Sequence, residues 1–291
     1  MHDFFFVFQG NGSVAEQEDQ YVTLSHGRVH YRCAGLDDDG AEDRPAVILV
    51  HGFSFASWCF NALGPLAVAA GYRVYAPDLY GRGFSDRPAV THDRGLYNRM
   101  LSEFMDAVGL DEPVILVGNS MGGAVVTDFA AHHPGQVRGL LLLVPAGLRL
   151  GMPMSLGWLG VPVIGDLIWR WVGPGLARCT SKNPQIRTMA NAAVDQQASI
   201  PGYYPALLNT LRHYPLDGLQ ESFEAVGVQG TPVSALFGGE DDLIPREAAE
   251  ILQTVIPRAD VSVLADEGHD LVMDNPEVVL ETLNALIQRT D

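Results

Sequence analysis

The 291-residue chain carries 35 acidic and 18 basic residues, which gives a formal net charge of −17 at pH 7. A surface this acidic repels phosphate groups, so we expect neither a nucleic-acid partner nor binding to an anionic membrane. The length and the 47% hydrophobic content are typical of a globular protein that buries a sizeable core without disulfides or a structural metal.

Short apolar runs rich in β-branched residues alternate with helical patterns along most of the chain. The predicted strands cover residues 21–24, 28–33, 46–50, 73–76, 114–117, 140–144, 233–237 and 261–264. The predicted helices cover residues 95–108, 121–132, 246–255 and 276–288. Most of the strand runs are continuously apolar, which is typical of strands covered on both faces. The alternation therefore predicts an α/β fold, with a mostly parallel sheet flanked by helices.

Residues 147–229 interrupt this alternation. They contain no buried-strand pattern, and helical patterns appear around residues 185–197 and 204–213. We interpret them as a helical cap inserted into a core of residues 1–146 and 230–291. Tryptophan, methionine and aliphatic side chains crowd residues 147–172. Two interpretations of these side chains stay open: they are buried against the core, or they line a tunnel for an acyl chain.

The cysteines and a short apolar run near the N-terminus bear on the cellular compartment in which we expect the protein. Cys33, Cys59 and Cys179 form no C-x-x-C pair and no zinc-like spacing, as expected of free thiols in a reducing compartment. Residues 4–8 lack a positive leader and a small-residue cleavage site, so we do not interpret them as a signal peptide. No run of about 20 apolar residues is present to cross a bilayer. We expect a cytoplasmic protein without an integral membrane segment, and the sequence does not indicate the oligomeric state.

The strongest chemical signal is the segment GNSMGG at residues 118–123, which follows a predicted strand and opens a predicted helix. The pattern G-x-S-x-G alone occurs by chance, but a strand–turn–helix context is the one that presents a nucleophilic serine. Larger side chains at positions 118 and 122 would collide with the neighbouring strand and helix. We interpret Ser120 as the nucleophile; the alternative is a surface serine in a glycine-rich turn.

A serine hydroxyl needs a base that takes its proton, and the base needs an acid that orients it. His269 follows the predicted strand at residues 261–264, which places it at the same edge of the sheet as Ser120. The acid would come from the loop GGEDDLIP at residues 238–245. We choose Asp241, with Asp242 as the alternative; either carboxylate could instead cap the next helix. The chain order Ser, Asp, His agrees with this assignment.

Two backbone N–H groups are candidates for the oxyanion hole, which binds the negative oxygen formed when serine attacks a carbonyl. Met121 begins the helix after Ser120, and Phe53 lies in the His-Gly-Phe turn after the predicted strand at residues 46–50. We interpret Asp78 and Arg82 as structural, forming a turn supported by their charges near that loop.

Together these segments resemble the α/β-hydrolase superfamily over the whole chain except residues 147–229. Within it the chain resembles the branch of serine carboxylesterases and monoacylglycerol lipases. The resemblance implies an eight-stranded sheet, a helical cap after the sixth strand, and no cofactor or metal. It also implies that the partner is a small-molecule ester, cleaved through an acyl-serine intermediate. The apolar cap favours medium-chain esters or monoacylglycerols.

Two alternatives stay open. The carbon–carbon bond hydrolases that cleave ring-fission products share the segment GNSMGG. However, they usually carry Gly-Pro-Gly after the oxyanion His-Gly and a tryptophan after the catalytic histidine. Here Phe53-Ser54-Phe55 and Asp270 stand at those places. The second alternative is a ligand-binding protein without activity; such proteins usually lose a member of the triad, whereas this chain has all three candidates.

Overall fold

The structure, a computed structural model, describes residues 20–36, 40–151 and 158–290. Eight strands form a single sheet in the described part of the chain. In chain order they are β1 (Gln20–Leu24), β2 (Gly27–Ala34), β3 (Ala46–Val50), β4 (Arg73–Pro77), β5 (Val114–Asn119), β6 (Val137–Leu143), β7 (Val233–Gly238) and β8 (Asp260–Leu264). Across the sheet the order is β1-β2-β4-β3-β5-β6-β7-β8.

The pairing of the strands is mostly parallel. Only β1 with β2 and β2 with β4 are antiparallel, whereas every pair from β4 to β8 is parallel. Parallel strands need crossover connections, and helices supply them on both faces of the sheet. The predicted α/β fold, with an eight-stranded, mostly parallel sheet flanked by helices, is confirmed.

The α-helices include every predicted one, with bounds within two residues, and several short ones that the sequence did not indicate. They are α1 (Leu63–Ala69), α2 (Arg94–Ala107), α3 (Met121–His132), α4 (Ile164–Leu176), α5 (Pro184–Ala198), α6 (Tyr203–His213), α7 (Gln220–Gln229), α8 (Glu247–Val255), α9 (Leu271–Asp274) and α10 (Pro276–Thr290). Within the described ranges, no helix is both long and apolar enough to cross a bilayer.

Two strand predictions are wrong in detail. Residues 261–264 were expected to be covered on both faces, but β8 is the edge strand of the sheet, and Val263 is exposed. An apolar run does not distinguish an edge strand from a central one when one face still packs on a helix. The strand predicted at residues 140–144 starts earlier, at Val137, and ends before Val144, which leaves the extended conformation with a φ of 41°.

The apolar side chains before and within α4 are divided between an exposed and a buried side. Trp158, Val163, Leu167 and Trp171 are exposed, the last of them to 87%. The amphipathic helix turns its other side inward, where Trp169 is buried. The exposed side chains therefore do not fill the core, and the acyl tunnel stays a prediction.

The prediction for residues 147–172 can be compared with the structure only in part. Residues 152–157, with Met152 and Met154, lie outside the described part of the chain. So does the apolar run at residues 4–8. The helices α4 to α7 lie between β6 and β7, and α7 packs against α3 and α8. The division into a core and a cap stays a prediction.

Candidate functional site

Ser120 lies on the turn between β5 and α3, in a conformation that side chains rarely adopt. Its φ is 54° and its ψ is −119°. Such a backbone costs about 1–3 kcal/mol and persists only where its surroundings enforce it. Here the Ser120 N–H donates to the Leu143 carbonyl at 2.8 Å, and its carbonyl accepts from the N–H groups of Gly123 and Ala146. The strained turn is thus held from β6 and from the loop after it.

Glycines next to the turn are required by close packing. A Cβ atom on Gly118 would lie 2.5 Å from the Gly122 carbonyl oxygen, and one on Gly122 would lie 2.0 Å from the Val50 carbonyl oxygen. Real Cβ atoms essentially never approach so closely, and a backbone neighbour cannot move aside cheaply. Neither position can carry a side chain, as the sequence pattern predicted.

The structure places His269 within hydrogen-bond distance of both Ser120 and Asp241. His269 Nε2 lies 2.9 Å from Ser120 Oγ, and His269 Nδ1 lies 2.8 Å from Asp241 Oδ2. The other carboxylate oxygen of Asp241 accepts from the backbone N–H groups of Leu243 and Ile244, both at 2.8 Å. Those two bonds fix the carboxylate with one oxygen free to face the imidazole.

The neighbouring carboxylates lie in different places. Asp242 is exposed, whereas Asp241 is buried. Asp270 is buried directly after His269, and its Oδ2 accepts from the Thr180 backbone N–H at 2.9 Å and from its hydroxyl at 3.1 Å. Two carboxylates therefore lie close to the imidazole of His269. Asp270 was not among the predicted site residues, and its position directly after His269 was the only signal for it in the sequence.

These carboxylates set the protonation of His269. Burial alone would lower the pKa of His269, but the hydrogen bond and charge of Asp241, with the charge of Asp270, raise its pKa above the ordinary value. A nearby negative charge stabilises the imidazolium, which is the form the ring takes after it accepts a proton. The pair with Asp241 also fixes the orientation of the ring, since Nδ1 faces the carboxylate and Nε2 faces Ser120.

The His-Gly-Phe turn after β3 lies against Ser120. A Cβ atom on Gly52 would lie 3.2 Å from Ser120 Cβ. The buried His51 accepts the Leu79 N–H at Nε2 (2.9 Å), so its Nδ1 donates to the Gly52 carbonyl (2.8 Å). Burial lowers the pKa of His51 to about 4, which keeps the ring neutral, as this pair of hydrogen bonds requires. The imidazole thus supports the loop.

The two candidate oxyanion donors belong to the residues that follow Gly52 and Ser120. Met121 is the first residue of α3, and the first N–H groups of a helix have no acceptor within it. The N–H of Phe53 belongs to the same peptide unit as the Gly52 carbonyl. Because a trans peptide is planar, the bond from His51 to that carbonyl turns the Phe53 N–H to the opposite side.

Asp78 and Arg82 are both buried, but they do not support a turn by pairing with each other. Asp78 accepts from His30 Nδ1 at 2.7 Å and from the Ser57 N–H at 2.7 Å. Burial alone would raise the pKa of Asp78, but the hydrogen bond and charge of His30 lower it well below its usual range. Arg82 instead donates to neutral oxygens, among them the Phe53 carbonyl at 2.8 Å.

The carboxylates near His269 are already engaged in hydrogen bonds. Both oxygens of Asp241 accept hydrogen bonds, and Asp270 is occupied by Thr180. In the portions that the structure describes, no group of three or more His, Cys, Asp or Glu side chains is placed to hold a metal ion. That the protein uses no cofactor stays a prediction.

Comparison with known proteins places the chain in a family. Residues 47–282 match the model of the alpha/beta hydrolase family. The 2-hydroxymuconate semialdehyde hydrolase of Pseudomonas sp. (strain CF600) is 30% identical over 245 residues, which cover 80% of this chain and 83% of that protein. Lipase 3 of Moraxella sp. (strain TA144) is 26% identical over 286 residues, covering 96% of this chain and 86% of the lipase.

Solved structures share the fold. The crystal structure of carboxylesterase CesB from Bacillus subtilis superposes with a TM-score of 0.74 at 21% identity, covering 94% of this chain and 92% of the esterase. At this level of identity the likeness concerns the fold alone. The match over residues 47–282, together with the 30% identical relative, establishes the family: the chain belongs to the alpha/beta hydrolases.

Proposed function

We propose that the protein hydrolyses carboxylic esters through an acyl-Ser120 intermediate. The observation that carries this proposal is the hydrogen-bonded series from Ser120 through His269 to Asp241, at 2.9 and 2.8 Å. A base within this distance of a serine hydroxyl is what nucleophilic catalysis by serine needs. The strained backbone and the close packing of the turn that holds Ser120 support the same proposal.

In the first half of the proposed reaction, His269 Nε2 takes the proton of Ser120 as Oγ attacks the ester carbonyl. The carbonyl oxygen becomes an oxyanion, which the N–H groups of Phe53 and Met121 stabilise. The imidazolium then gives its proton to the alcohol oxygen as the bond to carbon breaks. In the second half, water attacks the acyl group with His269 as its base, the carboxylic acid leaves, and Ser120 regains its proton.

Carbon–carbon bond hydrolysis is the second candidate, because the 30% identical relative acts on 2-hydroxymuconate semialdehyde. That compound is a carboxylate, as its name states. In this chain the buried Asp270 lies beside His269, where its charge would repel an anionic substrate. A neutral ester would not be repelled by this charge, so we favour esters as substrates.

Apolar side chains next to the oxyanion loop favour an apolar substrate. The rings of Phe53 and Trp169 pack edge to face, with 6.5 Å between their centroids. Trp169 comes from α4, and we propose that residues 147–229 form a cap whose inner side contributes this wall. A flexible acyl chain of medium length is the substrate that we propose for it.

We expect kcat/KM for p-nitrophenyl esters to rise from acetate to about the octanoate, because each buried methylene contributes about 0.8 kcal/mol. The rise should be roughly fourfold per carbon, which is about 15-fold for every two carbons, and should stop when the apolar wall is covered. Initial rates across the series from acetate to palmitate test this. A steep fall from acetate onward would leave an esterase for small substrates.

The same preparation should be assayed with 2-hydroxymuconate semialdehyde, followed by the loss of its absorbance. We expect turnover at least 100-fold below that of the best ester. Faster cleavage of this compound than of any ester would assign the protein to carbon–carbon bond hydrolysis, with the same Ser120 and His269.

The pH profile should report the charge of Asp270. His269 must be neutral to take the proton of Ser120, so kcat/KM falls as the pH drops through the pKa of His269. That pKa is raised partly by Asp270. The substitution Asp270→Asn keeps an acceptor for Thr180 but removes the charge, and it should move the acid limb to lower pH. Thr180→Val keeps the charge, so its acid limb should stay in place; an unmoved limb in Asp270→Asn would refute the role of that charge.

A further inference from the structure

Three consecutive backbone carbonyls in the loop after β3 each accept a hydrogen bond from a buried side chain. The pairs are His51 Nδ1 with the Gly52 oxygen at 2.8 Å, Arg82 Nε with the Phe53 oxygen at 2.8 Å, and both Gln197 Nε2 (2.8 Å) and Tyr203 OH (2.6 Å) with the Ser54 oxygen. The loop residues are buried or half-buried, and a buried carbonyl that is shielded from water needs a donor from the protein.

The two donors to Ser54 do not come from the sheet or its flanking helices. Gln197 lies in the last turn of α5, and Tyr203 is the first residue of α6. They are 143 and 149 positions away from Ser54 in the sequence, and both are buried. The helices inserted between β6 and β7 therefore reach the loop that carries the candidate oxyanion donor Phe53.

Gln197 is oriented for this contact. Its Oε1 accepts the backbone N–H of Gly83 at 2.9 Å, which leaves Nε2 to donate to the Ser54 carbonyl. The amide thus bridges the loop after β3 and the loop after β4. With Tyr203, the Ser54 carbonyl has two donors, which is the full capacity of a carbonyl oxygen.

Arg82 connects the same helices to the preceding carbonyl. Its Nη1 donates to Thr210 Oγ1 of α6 at 2.9 Å and to the Tyr97 hydroxyl at 2.7 Å, while Nε holds the Phe53 carbonyl. In the described part of the chain no carboxylate pairs with this fully buried guanidinium. Its bonds to α6 and to the loop are what keep it in place.

We propose that Gln197 and Tyr203 are positioning residues that hold the oxyanion loop in its working geometry, so that the inserted helices stay docked on that loop during catalysis. The proposal rests on the proposed function, because an oxyanion donor matters only if an oxyanion forms. Such donors lie about 3 Å from the developing charge and must be held there to within about 0.5 Å, a precision that a loop reaches only when supporting contacts fix its peptide units.

The substitution Tyr203→Phe removes one donor to Ser54 and keeps the buried ring. We expect kcat to fall about fivefold to tenfold, as for the loss of one hydrogen bond, with KM unchanged. The affinity for a trifluoromethyl ketone, which forms a tetrahedral adduct with serine, should fall by the same factor. Gln197→Met removes the other donor and should act in the same direction.

Tyr204→Phe is the matched control. Tyr204 is the next residue of α6, its ring contacts that of Tyr203, and its hydroxyl makes no hydrogen bond within the described residues. We expect wild-type kcat and inhibitor affinity for this variant. A purely structural role of Tyr203 would lower the melting temperature and leave the kcat of the folded protein intact, so Tm is measured for all variants.

Hydrogen–deuterium exchange of the loop peptide at residues 51–57 gives a readout that needs no activity. Exchange should be faster in Tyr203→Phe than in Tyr204→Phe if the hydroxyl holds the loop. Wild-type exchange, or wild-type kcat and inhibitor affinity in both Tyr203→Phe and Gln197→Met, would overturn the proposal. The wild-type protein could turn over no ester while exchange is still faster in Tyr203→Phe than in Tyr204→Phe. In that case the proposed function would be wrong, but the loop contact would stand.

Discussion

Replacing Ser120 with alanine is expected to lower ester turnover by roughly four to six orders of magnitude, because the variant lacks the hydroxyl that lies within hydrogen-bond distance of His269 Nε2. The fold should be unaffected. Alanine is smaller than serine and meets the same backbone strain at a φ of 54°, and the hydrogen bonds that enforce the turn come from the backbone. The measurement is kcat for p-nitrophenyl esters, with circular dichroism and Tm as checks of folding.

A fluorophosphonate probe separates the enzyme from a ligand-binding protein of the same fold. The wild-type protein should be labelled once, on Ser120, and the Ser120→Ala variant should not be labelled. Ser199→Ala is a suitable control, because Ser199 is exposed and bonds only within its own helix end. If correctly folded Ser120→Ala kept near-normal turnover, the nucleophile would have to be sought elsewhere.

The residues whose contacts were predictable from the sequence share one property: each follows a strand across a short loop. Ser120 follows β5, Asp241 follows β7 and His269 follows β8. Because the carboxyl ends of parallel strands meet at one edge of the sheet, the strand pattern alone brings such loops together. A local motif and the alternation of strands and helices therefore suffice to predict that these side chains are neighbours.

Other features depend on contacts that no local pattern records. In the sequence, Gln197 and Tyr203 are ordinary residues of amphipathic helices. The residues around them in the sequence do not indicate a partner in the loop after β3. The outward direction of Trp171 was also unpredictable, since an apolar side chain at helical spacing is usually buried. Sequence patterns give the period of a helix, whereas tertiary packing decides which face is covered.

Replacing Asp241 with asparagine is expected to lower kcat by about four orders of magnitude. The two backbone N–H groups of Leu243 and Ile244 would keep the amide oxygen in the place of Oδ1. The amide nitrogen would then face His269 Nδ1, where the carboxylate oxygen now accepts at 2.8 Å. A donor at that position selects the tautomer with the proton on Nε2, so the imidazole could no longer take the proton of Ser120. The fold should survive, because asparagine has nearly the same shape.

Asp242→Asn is the matched control, since it makes the same chemical change one residue further along the chain. Asp242 is exposed, so its variant should retain kcat within a factor of about two of the wild type, as expected for a surface substitution. The two variants also have the same net charge, which removes any general effect of one lost carboxylate. If Asp242→Asn instead lost activity by orders of magnitude while Asp241→Asn kept it, Asp242 would be the acid that orients His269.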